Sequence, residues 1–214
     1  MALTPATKKR LAALAVVLLI LIADQALKIW VKTHMVPGES IRLADWAYIA
    51  FIENKGMAFG MQFFGTVVLA IFRIAAIGAL VWFLWRITRR AEVKWGFTLL
   101  VAVVTAGAAG NIIDNVFYGL IFSDSNGLIP AMLVPLGQGY GSLLEGRVVD
   151  MFYFPIIDTD WPQWMPVVGG DHFVFFSPIF NLADAAITTG GILLITCYYK
   201  TLNRLLSRRQ SDID

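Results

Sequence analysis

The sequence has one cysteine (Cys197), two histidines (His34 and His172) and few charges, with 15% of residues acidic or basic. A lone cysteine excludes an internal disulfide framework, and so little Cys and His argues against a metal centre built from them. A soluble domain carries about 25% charged residues, so the low charge argues against an ordinary water-soluble enzyme. No low-complexity tract is present, and an aromatic fraction of 13% speaks against a disordered chain. What fills the 214 residues is apolar: 58% are hydrophobic and the mean hydropathy is +0.69.

A transmembrane helix needs about 20 mostly apolar residues. Four stretches qualify: Leu11–Val31, Thr66–Ile87, Trp95–Phe117 and Phe176–Tyr199. Eleven of the 17 basic residues precede the first span, lie between the second and third or at the adjoining end of the second (Arg86), or follow the fourth. The positive-inside rule then predicts cytoplasmic termini, with residues 32–65 and 118–175 outside. The first span also resembles a secretory signal peptide, but Asp24, Gln25 and Lys28 lie within it, and a disposable apolar core has no need of them. The expected architecture is a single all-α membrane domain over residues 1–214, with four transmembrane helices and a small periplasmic platform containing β-structure. Parts of 38–65 alternate as a short strand does. The aromatic, Gly- and Pro-rich stretch from Tyr118 to Phe175 is expected on the outer membrane surface.

Charges inside a span cost about 2.5–3.5 kcal/mol each at the bilayer centre and are candidates for function by default. Here they and their polar neighbours fall at one depth. Asp24 and Lys28 lie in the outer half of the first span, Arg73 near the outer start of the second, Asn111 and Asp114 near the end of the third, and Asn181 and Asp184 in the first turns of the fourth. Both Asn-x-x-Asp pairs have the three-residue spacing that shares a helix face. Asp150, at the end of Gly146-Arg147-Val148-Val149-Asp150, can approach this layer from above and meet Asp184. Two carboxylates sharing a site cannot both ionise easily, so one acts as base on a water while its protonated partner polarises a carbonyl. That chemistry requires neither metal nor cofactor.

Simpler roles stand beside these. Asp24 can pair with Lys28 one turn on, Asn111 and Asp114 can hydrogen-bond between helices, and Asn54 with Gly56 can form a tight turn. Arg73 can snorkel or pair with an acid, Cys197 can fill apolar space, and Asp158, Asp160 and Asp171 can solvate a loop.

Five motifs occur in order along the chain: Asp24-Gln25 with Lys28; Asn54-Lys55-Gly56-Met57-Ala58-Phe59-Gly60; Gly110-Asn111-Ile112-Ile113-Asp114; Val148-Val149-Asp150; and Phe180-Asn181-Leu182-Ala183-Asp184. In this the chain resembles signal peptidase II, the bacterial lipoprotein signal peptidases of aspartic peptidase family A8. The resemblance implies an endopeptidase of the bacterial cytoplasmic membrane, its active site facing the periplasmic side. Its substrates would be prolipoproteins carrying diacylglyceryl on the lipobox cysteine, cut just before that cysteine. It also implies Asp150 and Asp184 as the catalytic pair, with Asn181 as a supporting contact. Asp24, Lys28, Asn54, Gly56, Asn111 and Asp114 would shape the site or hold substrate. Membrane lipids as partners, globomycin-type peptide antibiotics as inhibitors, a monomeric state, and no nucleic acid belong to the same expectation.

Two departures from the family pattern stand out. The family usually has Arg after the acid of the third-span motif, where this chain has Asn115; Arg147 is a candidate to make the missing contact. Residues 123–147 and 158–171 look like insertions, serving as a lid or a partner surface. The rival functions are a proton- or ion-coupled transporter, against which four spans without broken repeats argue, and a scaffold docking through Trp161–Trp164.

Overall fold

The structure is a computed structural model and describes residues 3–54 and 66–210. Lys55–Gly60 of the second motif, Gly56 included, lies outside the described residues.

Helix α1 (Pro5–His34) opens on Thr4, whose hydroxyl accepts the N–H of Thr7 at 3.2 Å, with proline where a missing N–H is harmless. Helix α2 spans Thr66–Thr88 and α3 spans Trp95–Ile113. A wide π-helical turn, Asp114–Tyr118, and a single turn α4, Gly119–Ile121, extend α3. Helix α5, Leu182–Gln210, is interrupted at Tyr198. Among the described residues, four helical stretches are long and apolar enough to cross a membrane: Pro5–His34, Ala70–Thr88, Trp95–Ile121 and Leu182–Leu205. Helix α3 is the central one, packed against α1, α2 and α5. Its glycines allow close approach: a Cβ on Gly107 would stand 2.4 Å from the carbonyl oxygen of Ala183, and one on Gly110 would stand 2.7 Å from Oδ2 of Asp24.

The last span begins later than hydropathy alone suggests. Phe176 has a left-handed φ of 68°, Ser177 precedes a proline, and Ile179–Phe180 pair as a strand, so α5 starts at Leu182 rather than Phe176. The third helical stretch runs four residues beyond the expected Phe117, through the π turn.

An antiparallel sheet caps one end of the bundle, in the order β1 (Ser40–Ala44), β2 (Ala47–Asn54), β3 (Val148–Tyr153), β6 (Ile179–Phe180). Phe152 pairs with Phe180, so the antiparallel register carries Asp150 toward the start of α5. Val31, Met35, Phe51, Tyr118, Phe122, Val149 and Met151 form the buried joint between sheet and helices.

Both suspected insertions are structured. Residues 123–147 fold back on the helix ends through the Ala131 N–H to Lys32 carbonyl bond (3.1 Å) and the Tyr140 N–H to Phe122 carbonyl bond (3.0 Å). Residues 158–171 belong to a separate hairpin of β4 (Ile157–Asp160) and β5 (His172–Phe175). There Asp158 and Asp160 are exposed, as expected of solvating acids, and His172 lies 3.2 Å and 3.0 Å from their carboxylates. Cys197 is exposed on α5 rather than filling interior space.

Candidate active site

The Asn181–Asp184 motif is first of all a helix start. The side-chain oxygen of Asn181 accepts the N–H of Asp184 at 2.9 Å, and Oδ2 of Asp184 accepts the N–H of Asn181 at 3.4 Å. This reciprocal box satisfies two backbone donors of α5. A third, on Ala183, is taken by Oδ1 of Asp24 at 3.0 Å. The box leaves the amide nitrogen of Asn181 free to face the sheet, where it donates to Oδ1 of Asp150 at 2.7 Å and to the Val149 carbonyl at 3.3 Å. One side chain therefore touches strand β3 and caps the helix that carries Asp184.

Beneath this pair lies a buried charge cluster. Lys28, fully buried, lies 3.0 Å from Asp24 and 2.8 Å from Asp114, both also fully buried, and donates to Oδ1 of Asn111 at 2.9 Å. Gln25 donates to Asp114 at 2.9 Å and to Asp24 at 3.2 Å, and accepts from the Tyr118 hydroxyl at 3.1 Å. Asp114 also accepts the N–H of Val149 at 3.3 Å, which ties α3 to the strand bearing Asp150. Asn111 relays the cluster outward. Its oxygen accepts from Lys28 and from Asn181 (3.0 Å), so its nitrogen must face Asp184, to which it donates at 2.7 Å.

Asp150 is 5% exposed. Burial, and then the neighbouring charge of Asp184, push its carboxyl up to about 7; the Asn181 bond and Lys28 oppose the shift. A carboxyl that keeps its proton near neutrality beside a second, half-buried acid is the electrostatic arrangement that acid–base hydrolysis needs.

The structure thus gathers Asp24, Lys28, Asn111, Asp114, Asp150, Asn181 and Asp184 into one network. Asn54 ends β2, opposite Val148 in register. Arg147 is the exception. Its guanidinium turns to Glu53 (2.9 Å) and Asp124 (2.8 Å) and lies over the Tyr140 ring, so it does not replace the contact expected of an arginine at position 115. The reason is local: Glu53 stands at the end of β2 and also pairs with the buried Lys32 of α1, forming a strong acceptor beside Arg147. A different arginine reaches Asn115: Arg73 of α2, whose Nη1 donates to Oδ1 of Asn115 at 2.6 Å. Sequence reasoning places Arg73 in the polar layer and Gln25 in the first motif but assigns neither a site role, and it passes over Glu53. The only signals were the cost of an arginine in a span and the adjacency of Gln25 to Asp24 and of Glu53 to Asn54.

The model of the family described as Signal peptidase (SPase) II matches residues 16–200. A lipoprotein signal peptidase of Porphyromonas gingivalis is 47% identical over 197 residues, covering 92% of this chain and 87% of that protein. One of Amoebophilus asiaticus is 34% identical, covering 88% and 78%. Among solved structures, a bacterial membrane enzyme obtained by the in meso method aligns with a TM-score of 0.58 at 24% identity, covering 90% of each chain, and shares the fold. Four apolar helices joined to antiparallel strands, in a sequence matched from the first helix to the last, make this a multi-pass membrane protein, and the chain belongs to the signal peptidase II family.

Proposed function

We propose that this chain is a membrane aspartic endopeptidase that removes signal peptides from prolipoproteins, with Asp150 and Asp184 as its reacting pair. The observation that carries the assignment is the single Asn181 side chain. It bonds Asp150 while its oxygen and backbone N–H embrace Asp184, holding two acids from distant segments at one place. The family match and the lipoprotein signal peptidase relatives supply the substrate class, and they lend the transporter alternative no support.

In the reaction, the ionised acid takes a proton from water, and the resulting hydroxide adds to the scissile carbonyl carbon. The protonated acid gives its proton to the carbonyl oxygen. Collapse of the resulting diol breaks the C–N bond: one diol hydroxyl returns its proton to the acid that had protonated the carbonyl, and the leaving nitrogen takes a proton from the acid that first deprotonated water. The products are a signal-peptide carboxylate and a free amine on the lipidated cysteine. Asp24, Lys28, Asn111 and Asp114 hold the pair in place, and Asn54 and Gly56 shape the substrate path.

The basic residues flanking the helices favour cytoplasmic termini, which puts the sheet and the acid pair on the outer side of the bacterial cytoplasmic membrane. The substrate's acyl chains remain in lipid alongside the bundle, so they orient the scissile bond more than they add affinity. The enzyme acts as a monomer, and globomycin-type peptides occupy the substrate's place beside the acid pair. Cleavage of a diacylglyceryl-modified prolipoprotein in detergent tests the reading. Asp150→Asn and Asp184→Asn should each abolish processing with folding retained; wild-type cleavage by either variant removes the pair from the mechanism.

A further inference from the structure

Arg73 lies in a helix whose neighbouring side chains, Ile71, Phe72 and Ile74, are exposed apolar groups. A guanidinium placed there for solubility would follow them outward. It is instead half-buried and turned into the bundle, with Nη1 on Asn115 at 2.6 Å. Asn115 is itself buried, and its nitrogen donates to the Gly146 carbonyl at 2.8 Å. That second bond fixes the amide's orientation, so its oxygen faces Arg73. The shelf on which the guanidinium rests is therefore anchored four residues before Asp150. From α2, Arg73 faces the charges of Asp184, Asp150 and Asp114.

We infer that Arg73, shelved on Asn115, is a substrate-binding group of this site, donating to a carbonyl oxygen of the lipidated peptide beside the acid pair. A planar fork of N–H donors suits such an acceptor, and one donor spent on Asn115 leaves others for the ligand. The carbonyl belongs either to the peptide backbone or to the diacylglyceryl ester; both present the same acceptor. This rests on the assignment of Asp150 and Asp184 as the reacting pair.

The test uses the full-length enzyme in detergent with a diacylglyceryl lipopeptide. Arg73→Gln should raise KM and lower kcat/KM by roughly 10- to 100-fold, the range for losing a hydrogen bond from a charged group. Asp150 is faced by Asp184 and Asn181 from the α5 start, Lys28 from α1 and Asp114 from the π turn, and Arg73 faces it from α2. Removing that cation should also move the acid limb of the rate profile to higher pH, a shift that a purely structural role does not produce. Combining Arg73→Gln with Asn115→Arg returns a guanidinium to the same space from α3 and should recover most of the loss. Arg73→Lys, with charge but no fork, should restore the pH limb and not KM. An ether-linked lipopeptide separates the two carbonyls: an undiminished Arg73→Gln defect assigns the backbone, and a vanished one assigns the ester. The inference is overturned if folded Arg73→Gln keeps the wild-type KM and pH profile, or if the double variant is no better than Arg73→Gln alone. Should Arg73→Gln not fold, an unchanged KM in Arg73→Lys overturns it equally. Normal cleavage by Asp150→Asn instead defeats the acid-pair assignment, whatever Arg73 does.

Discussion

Asn181 donates its side-chain amide to Asp150 at 2.7 Å from the residue that immediately precedes helix α5. Helix capping and the geometry of the proposed acid pair are thereby carried by one group. Asn181→Ala should cost about 0.5–2 kcal/mol of stability as a lost cap, with a much larger fall in cleavage. Thermal unfolding and lipopeptide turnover on the same preparation separate the two effects. Equal, small losses in both would reduce Asn181 to a helix cap.

Lys28 is the only cation bonded to Asp24 and Asp114 among the described residues. Lys28→Met strands two buried carboxylates, and breaking a buried ion pair in this way typically costs about 3–5 kcal/mol. A pronounced drop in melting temperature in detergent is expected, and Asp114→Asn added to Lys28→Met should recover part of it. A melting temperature equal to wild type would mean that the cluster is solvated in the working enzyme.

The Asp150 carboxyl, pushed up to about 7, lies above the ordinary carboxylate value of about 3.9. The folded state binds this proton more tightly than the unfolded chain does. Its stabilising contribution is complete below about 4 and is lost as pH rises through about 7. Asp150→Asn should therefore flatten the decline in stability across that window, read from melting temperatures at acid and neutral pH. Turnover of the wild type should fall on the alkaline side as the shared proton is lost, and a rate that stays level from neutral to alkaline pH contradicts the acid pair.

Gly110 lies close against both Asp24 and Ala183. A Cβ at this position would lie 2.7 Å from Oδ2 of Asp24. Gly110→Ala should push Asp24 off its bonds to Lys28 and Ala183, with a cost of about 1–3 kcal/mol typical of overpacking. Melting curves give the stability loss, and activity should fall alongside it.

Much of this was legible in the sequence. Long apolar runs announced the four helices, alternation announced a short strand within residues 38–65, the cost of intramembrane charge marked Asp24, Lys28, Asp114 and Asp184, and the Asn-x-x-Asp spacing added Asn111. What escaped depends on partners remote in the chain. Phe176–Phe180 is as hydrophobic as a helix, yet it is claimed by β3, 28 residues away at the Phe152–Phe180 pair. Arg147 adjoins the motif but answers to Glu53, 94 residues earlier. Asn115 read as a missing arginine until α2 supplied one across a separation of 42 residues. Spacing along one helix can be read from a string; a choice between competing acceptors cannot.

The meeting of β3 with the first turn of α5 has a consequence for biogenesis. Neither acid has its neighbour until the last helix has been inserted and the strands have closed over it. On the proposed pairing of Asp150 with Asp184, a nascent or half-assembled copy is hydrolytically inert, and membrane proteins beside it are safe from stray cutting until the whole bundle is built.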